Sequence, residues 1–445
     1  MPLTVRPRAL TTPVSCARRA LICILSLVIM LALAPLARAD ELGLISGPTP
    51  FPRSCGVPGT PTLNSTAEPT IAVNPRDRSN VVVSWQQDRF NIDGGALSNL
   101  VGVSHDGGRH FHPVRVPGVS RCTGGADERA SDPWLSIASD GTVLLASLSF
   151  SEMPQNNAIA GPTKLVVSRS HDGGETWSAP VDVQPFDQTY NDREAVVADP
   201  GRPKTAYYVF VKRYGAEGES GFEMFSRTTD GGATWSAPAP IYTPPAGMLT
   251  DPTLLEVLPD GTLVNVLIVA NLSPFLPSPA PKIAWTVIAQ RSTDGGASWS
   301  GATTIASIDP FPAMDPDTGK VVRAYPVIST THAANGTTYV AWNDIPSATA
   351  GSKVLLAKSS DAGRTWSSPT TIESSPGQAF LPSIAAGRDG TLGVTYDDTR
   401  NNRPGQGKLL TDVWFAQSRD GGASWHESHV AGPFDTLTAP ESDSS

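Results

Sequence analysis

The sequence predicts an all-β protein built from six copies of one unit. Proline and glycine are abundant, at 41 and 40 of 445 residues, and they separate short runs of Val, Ile, Leu and Thr, as tight turns separate strands. One eight-residue motif, SRDGGASW from Ser418 to Trp425, recurs five more times with small changes. Its copies lie about 60 residues apart, a period that indicates a repeated supersecondary unit. Their aspartates are Asp106, Asp172, Asp230, Asp294, Asp361 and Asp420.

Each period contains four short segments with the composition of strands. In the fourth period, TDPTLLEVLP is the first strand, DGTLVNVLIVA contains the second, and IAWTVIAQRS is the third and runs into the motif. A short fourth strand follows each motif. Four antiparallel strands in each of six units predict a six-bladed β-propeller over residues 65–432, followed by a flexible C-terminal tail at 433–445.

The first 39 residues have the pattern of a secretory signal peptide. Four arginines precede an apolar run from Ala20 to Ala37, and the small-residue pattern Ala37, Arg38, Ala39 predicts cleavage before Asp40. An uncleaved membrane anchor is the alternative, because a run of this length could just cross a bilayer. We expect a secreted or periplasmic protein without a membrane span after cleavage.

Two cysteines remain in the mature chain, and an oxidising compartment would let them pair. A Cys55–Cys122 disulfide would tie an N-terminal lead-in, residues 40–64, to the chain after the first motif. Two free thiols are the alternative.

Charge and motif content exclude several classes of protein. The formal net charge of -9 and the lack of a basic run argue against a nucleic-acid partner. The seven histidines show no metal-ligand spacing, and no nucleophile elbow or phosphate loop occurs. We expect a monomer with no cofactor, with a structural calcium ion as an option.

The motif itself reads as a structural turn. Its aspartate can accept hydrogen bonds from backbone amides, and glycine relieves the steric cost of a left-handed backbone. The second glycine is present in all six copies, whereas Ala362 replaces the first in the fifth copy. We therefore predict a positive φ at the second position.

The motif resembles the Asp-box (BNR) repeat of the sialidase superfamily, whose form is S-x-D-x-G-x-x-W. The resemblance covers roughly residues 65 to 432, and it implies a six-bladed, sialidase-like propeller with each box between the third and fourth strands. It also implies a mouth with three arginines that clamp a substrate carboxylate, a Tyr nucleophile activated by a Glu, and an Asp acid/base.

The family positions match this chain only in part. Ala67 and Ile268 stand where the first two arginines belong, and Phe380 and Leu381 stand near the place of the tyrosine. Asp251 matches the place of the glutamate, and Asp93 that of the acid/base aspartate. The arginine triad of a strict sialidase is thus not evident.

Other ionisable and aromatic residues recur where first strands begin and second strands end. These positions predict catalytic carboxylates at Asp88, Asp93, Asp192, Asp251 and Asp397. They predict substrate-binding residues at Arg89, Arg129, Arg193, Tyr190, Arg323, Tyr325 and Arg400. Alternatively, the acids cap strands, pair with neighbouring arginines or hold calcium.

Two classes of function remain open. One is a sialidase-like glycoside hydrolase that acts on extracellular glycans, and the other is a non-catalytic Asp-box propeller that binds a glycan or protein partner. The crowded ionisable mouth favours the first class, and the missing arginines favour the second.

Overall fold

The structure is a computed structural model that describes residues 42–91, 94–151, 162–187, 189–214, 220–270, 285–308, 313–319, 321–323, 327–344 and 351–439. The predicted signal peptide, residues 1–39, lies outside this range. No helix among the described residues is long and apolar enough to cross a membrane.

Six groups of four antiparallel strands follow one another along the chain, and we number them repeats 1 to 6. Repeat 1 contains β1 (Thr66–Val73), β2 (Val81–Arg89), β3 (Ala96–Ser104) and β4 (His112–Arg115). Repeat 2 contains β5 (Arg129–Ile137), β6 (Val143–Phe150), β7 (Lys164–Ser170) and β8 (Val181–Gln184). Repeat 3 contains β9 (Tyr190–Ala198), β10 (Ala206–Tyr214), β11 (Ser220–Thr228) and β12 (Ala239–Tyr242).

The second half of the chain continues the series with one insertion. Repeat 4 contains β13 (Leu249–Val257), β14 (Leu263–Ala270), β15 (Trp285–Ser292) and β16 (Thr303–Ile308). A two-stranded hairpin follows, made of β17 (Ala313–Met314) and β18 (Val321–Arg323). Repeat 5 contains β19 (Ile328–His332), β20 (Thr338–Asp344), β21 (Lys353–Ser359) and β22 (Thr370–Thr371). Repeat 6 contains β23 (Ala379–Ala386), β24 (Leu392–Asp398), β25 (Leu410–Ser418) and β26 (His426–Asp435), so the last strand continues beyond residue 432.

Helical structure is limited to single 3-10 turns in the described residues, at Arg53–Gly56, Arg121–Thr123 and Thr436–Thr438. The prediction of an all-β protein with antiparallel sheets is confirmed. Repeats 1 and 2 form one eight-stranded sheet through the pair Ala96 and Ala130, and the other repeats are separate four-stranded sheets.

The hydrophobic core lies between neighbouring repeats. Strand residues alternate between two faces, so each sheet can pack on both sides. One face of repeat 1, with Val82, Val101 and Val103, packs against Leu135 and Leu145 of repeat 2. Similar clusters join repeats 2 to 3, 3 to 4, 4 to 5 and 5 to 6.

The opposite face of repeat 1 packs against the lead-in. Phe51 and Val57 are buried there, with 6% and 4% of their surface exposed, against Val83, Trp85 and Leu100. Three arginines donate to backbone oxygens of the same segment: Arg115 to Pro50, Arg121 to Gly56 and Arg129 to Pro58. The lead-in therefore replaces a neighbouring repeat on this face.

The lead-in is also joined to repeat 1 by a disulfide between Cys55 and Cys122, whose Cα atoms are 5.3 Å apart. We expect non-reduced peptide mapping of exported protein by mass spectrometry to recover the two cysteines in one linked species. Recovery of both as free thiols from freshly purified protein would contradict this prediction.

The two ends of the series meet at a hairpin. Arg388 of repeat 6 donates to the backbone oxygen of Pro75 in repeat 1, at 3.2 Å. Ile71 and Val73 of β1 nevertheless keep 65% and 52% of their surface exposed. Repeat 6 thus touches repeat 1 without covering its first strand.

The six boxes are turns that satisfy their own polar groups. In the last one, the Ser418 hydroxyl donates to Asp420 and accepts from the Gly422 N–H, at 2.8 and 2.9 Å. The hydroxyl and backbone N–H of Ser424 lower the pKa of Asp420. The other five boxes repeat the bond from the Ser or Thr hydroxyl to the aspartate. This geometry supports a structural role for all six aspartates.

The backbone of the boxes corrects one expectation. The second glycine does have a positive φ in every copy, but so does the first position, including Ala362 at 58°. Alanine at this position adopts the left-handed α conformation, at φ values that a side chain tolerates at some cost. The second position reaches φ values from 78° to 103°, where only glycine stands.

Candidate active site

The first strand of most repeats contains the same irregularity. In repeats 1, 2, 3, 4 and 6 its register shifts by one bulge opposite the second strand. The first bulge residue has a positive φ at Glu68, Asp132, Arg193 and Leu381, with values from 46° to 58°. Bulges re-aim side chains and are common beside active sites.

The bulges bring ionisable side chains of repeats 1 to 4 together. We call this set the bulge cluster, and it contains Glu68, Asp132, Tyr190, Asp192, Arg193, Glu194, Arg213 and Asp251. Arg213 comes from the second strand of repeat 3, and every other member comes from a first strand. Five carboxyl groups therefore share the cluster with two arginines.

One half of the cluster is a network of ion pairs. Arg213 Nη2 lies 3.3 Å from Asp192 Oδ2 and donates a hydrogen bond to Asp251 Oδ2. Arg193 Nε lies 3.0 Å from Asp251 Oδ1 and 3.8 Å from Asp192 Oδ2. Both contacts are ion pairs without a hydrogen bond, because the Nε–H of Arg193 does not point at either oxygen. Two guanidinium groups thus contact the Asp251 carboxyl group.

The other half is a carboxyl pair without a cation of its own. Burial, followed by the charge of Glu68, raises the pKa of Asp132 to about 6. The Ser131 hydroxyl donates to Asp132, and Gln86 donates to both Ser131 and Glu68. Asp132 therefore holds a proton more tightly than an exposed aspartate, while the residue keeps part of its surface exposed.

Asp192 and Glu223 extend the set of perturbed acids. Burial raises the pKa of Asp192 to about 6, against the opposing effect of Arg193 and Arg213. Behind Asp251, the fully buried Glu223 accepts from Thr253 and Asn265, and burial raises its pKa to about 8. Clustered acids with raised pKa values are typical of functional sites.

A family model for the BNR/Asp-box repeat matches residues 168–179, which span the second box. The chain therefore contains a segment that is similar to the BNR/Asp-box repeat. A sequence search finds no match among curated proteins.

Solved structures are similar to this chain at low sequence identity. A protein of unknown function from Dyadobacter fermentans is 15% identical, with a TM-score of 0.51 over 79% of this chain and 94% of that one. A Hadza microbial sialidase is 17% identical, with a TM-score of 0.47 over 79% and 69%. An α-L-arabinanase from Penicillium chrysogenum is 16% identical, with a TM-score of 0.49 over 82% and 95%. At 15% identity and a TM-score of 0.51, the Dyadobacter fermentans protein shows a similar fold.

The site residues predicted from the sequence fall into separate groups. Tyr190, Asp192, Arg193 and Asp251 lie together in the bulge cluster. Asp93 and Tyr325 lie outside the described residues, and Arg323 ends β18 with a side chain that also lies outside them.

Four of the predicted site residues have structural partners instead. Asp88 is fully buried and accepts from Thr49 and from the Asn64 N–H, so it anchors the lead-in. Arg89 donates to Gln86, and Arg129 lies 3.8 Å above the Phe90 ring. Arg400 pairs with Asp398 and Glu427, at 3.1 and 2.9 Å. These contacts support the alternative that arginines pair with local acceptors.

Asp397 is separate from the bulge cluster. It is half-buried, and burial alone raises the pKa of its carboxyl to about 6. That carboxyl forms no side-chain hydrogen bond or ion pair with a described residue. The described residues contain no group of three or more His, Cys, Asp or Glu arranged to hold a metal ion. A structural calcium ion therefore stays a prediction.

Proposed function

We propose that this chain is an exported six-bladed β-propeller that hydrolyses glycosidic bonds at the bulge cluster. The observation that carries this proposal is the presence, in one cluster, of a carboxyl with a raised pKa at Asp132 and a second carboxyl at Asp251 that two arginines contact. Glycoside hydrolysis needs such a pair, with one group in the acid form and one in the base form.

Several features support the propeller and its export. First strands of successive repeats pack against each other, and the bond between Arg388 and Pro75 joins the last repeat to the first. A closed ring would place all first strands around one axis, with the bulges at its mouth. The disulfide and the signal-like first 39 residues favour an oxidising compartment outside the cytoplasm.

In the proposed reaction, Asp132 donates its proton to the glycosidic oxygen as the bond to the leaving sugar breaks. Asp251 attacks the anomeric carbon or activates a water molecule. Asp192 neutralises part of the charge on Arg193 and Arg213 and holds both against Asp251. Burial and the charge of Glu68 raise the pKa of Asp132 to about 6, which keeps the acid protonated at mildly acidic pH.

The charge of the cluster favours an uncharged glycan as the substrate. Both arginines already contact Asp251 and Asp192, and the five carboxyl groups outnumber them. A sugar carboxylate would have to displace these ion pairs and would approach further acids. We therefore expect neutral glycans to be better substrates than sialosides.

A second candidate function is binding of a glycan or protein without cleavage. It is favoured by the burial of Asp192 and Arg213, each with 7% of its surface exposed, since a buried ion-pair network can serve stability alone.

Incubation of purified mature protein with neutral glycans and α-linked sialosides tests these proposals. Released neutral sugar would support hydrolysis, whereas retained ligand without release would select the binding module. Release of sialic acid would contradict the expected substrate class, and neither release nor retention would contradict a glycan-directed function.

We expect hydrolysis to decline as pH rises above about 6, because Asp132 must be protonated to act as the acid. Well above this pKa, the rate at saturating substrate should fall about tenfold for each further pH unit. A pH profile of kcat measures this limb. An unchanged rate from pH 5 to pH 8 would contradict the assignment of Asp132.

A further inference from the structure

Repeat 3 differs from the four other repeats that contain the bulge at the second bulge residue. That residue is Pro69 in repeat 1, Pro133 in repeat 2, Pro252 in repeat 4 and Pro382 in repeat 6. Repeat 3 has Glu194 instead. A position that accepts proline has no need of a backbone N–H, so the fold does not require glutamate there.

Glu194 is expected to lower the stability of the folded protein, because its carboxyl is buried without hydrogen-bond partners. Only 3% of its surface is exposed, and neither carboxyl oxygen has a hydrogen-bond partner beyond a loose contact with its own backbone N–H. The hydroxyl of Tyr208, from the neighbouring strand β10, is also fully buried and unpartnered. Buried polar groups without partners reduce stability, and native proteins keep few of them outside functional sites.

The surroundings of Glu194 disfavour the charged form of its carboxyl. Burial raises its pKa well above the ordinary value, and the charge of Asp132 raises it further. The ionisable groups that act on it are Glu68 from β1, Asp132 from β5, and Asp192 from its own strand, while Tyr208 lies against it from β10. Arg193, its neighbour in the chain, acts on Asp132.

We propose that Glu194 is a positioning residue of the bulge cluster, whose buried and unpartnered carboxyl donates a hydrogen bond to Asp132 when that group gives up its proton. This inference rests on the proposed function. A hydrogen bond to the charged form stabilises it, so Asp132 would release its proton to the leaving sugar more readily. A protonated carboxyl kept neutral by burial is a suitable donor.

The natural test is Glu194→Pro, which installs the residue of the other repeats. We expect its thermal unfolding midpoint to rise by roughly 2–4 °C, because a buried unpartnered carboxyl is removed. We expect kcat to fall by about tenfold or more and the alkaline limb of its pH profile to move up by about half a unit to one unit, since Asp132 loses its donor.

Two further variants isolate the hydrogen bond. Glu194→Gln keeps a donor, so it should retain kcat within about threefold and keep the alkaline limb in place. Glu194→Leu removes the donor without changing the backbone N–H, and it replaces the proline variant if that protein does not fold. Tyr208→Phe is a control that removes the other unpartnered group and should leave the pH profile unchanged.

Thermal unfolding as a function of pH supplies a readout that does not depend on turnover. The folded-state pKa of Asp132, about 6, is above its ordinary value of 3.8, so its contribution to stability is present at low pH and is lost as pH rises through that interval. In Glu194→Pro and Glu194→Leu the loss should extend to higher pH. In Glu194→Gln it should not.

A proline variant that is more stable, fully active and unchanged in both pH dependences would overturn the inference. It would leave the proposed function intact, provided that Asp132→Asn removes turnover. Parent protein without turnover on any glycan would contradict the proposed function, and the pH dependence of unfolding would still decide whether Glu194 acts on Asp132.

Discussion

The Asp132→Asn variant is expected to lose about 10²- to 10⁴-fold in kcat on its glycan substrate, with a much smaller change in KM. The amide keeps the shape of the carboxyl but cannot donate the proton that the leaving sugar needs. Steady-state kinetics at pH 6 measures the loss, and thermal unfolding checks that the variant is folded.

The matched control for this variant is Asp397→Asn. Asp397 is also half-buried, and burial raises its pKa to about 6, but it has no partner in the bulge cluster. We expect its kcat to change by less than about twofold. If Asp397→Asn were the inactive variant and Asp132→Asn the active one, the site would have to be moved to repeat 6.

The second large effect concerns the two glycines of the fourth box. A Cβ added at Gly296 would lie 2.2 Å from Phe225 Cζ, and the residue also has a φ of 86°. Phe225 packs edge-on against Trp299, with ring centroids 5.4 Å apart, so it has little room to move. We expect Gly296→Ala to lower the free energy of unfolding by about 2–4 kcal/mol.

Gly295→Ala is the comparison in the same turn. A Cβ at this position would meet no atom closer than 3.6 Å, and the fifth box already has Ala362 at the matching position. We expect a loss of about 1 kcal/mol from the left-handed backbone alone. Urea denaturation of both variants measures the difference, and equal losses would show that the contact with Phe225 is not the cause.

Much of the fold could be predicted from the sequence, because its signals are local and repeated. The spacing of the boxes marks where third strands end, and the turn chemistry of Asp and Gly lies within eight residues. The left-handed backbone at the first position of the box is not predicted by this local pattern, because the alanine of the fifth box, Ala362, argues against it. Alanine nevertheless adopts that conformation at a modest cost.

The site was predicted less completely, because its partners come from different repeats. The position of Asp251 beside a first-strand proline predicts it as a site residue. Arg213 lies within a second strand, and only its contact with Asp251 of repeat 4 identifies it. Asp88 and Arg129 are charged and close to strand ends, as substrate-binding residues would be. Their acceptors and donors in the lead-in are 24 to 71 residues away, a distance over which sequence pattern carries no information.

At the bulge of the first strand, the backbone conformation is the same in several repeats while the side chain differs. Repeats 1, 2, 3 and 6 each hold the register shift with a left-handed residue at the same position, yet that residue is Glu68, Asp132, Arg193 or Leu381. The residue at each bulge can therefore be exchanged with little effect on the strand hydrogen bonds. A designer who wished to alter ligand preference could place an arginine at Leu381, adding positive charge at the bulge of repeat 6 while leaving the other repeats unchanged.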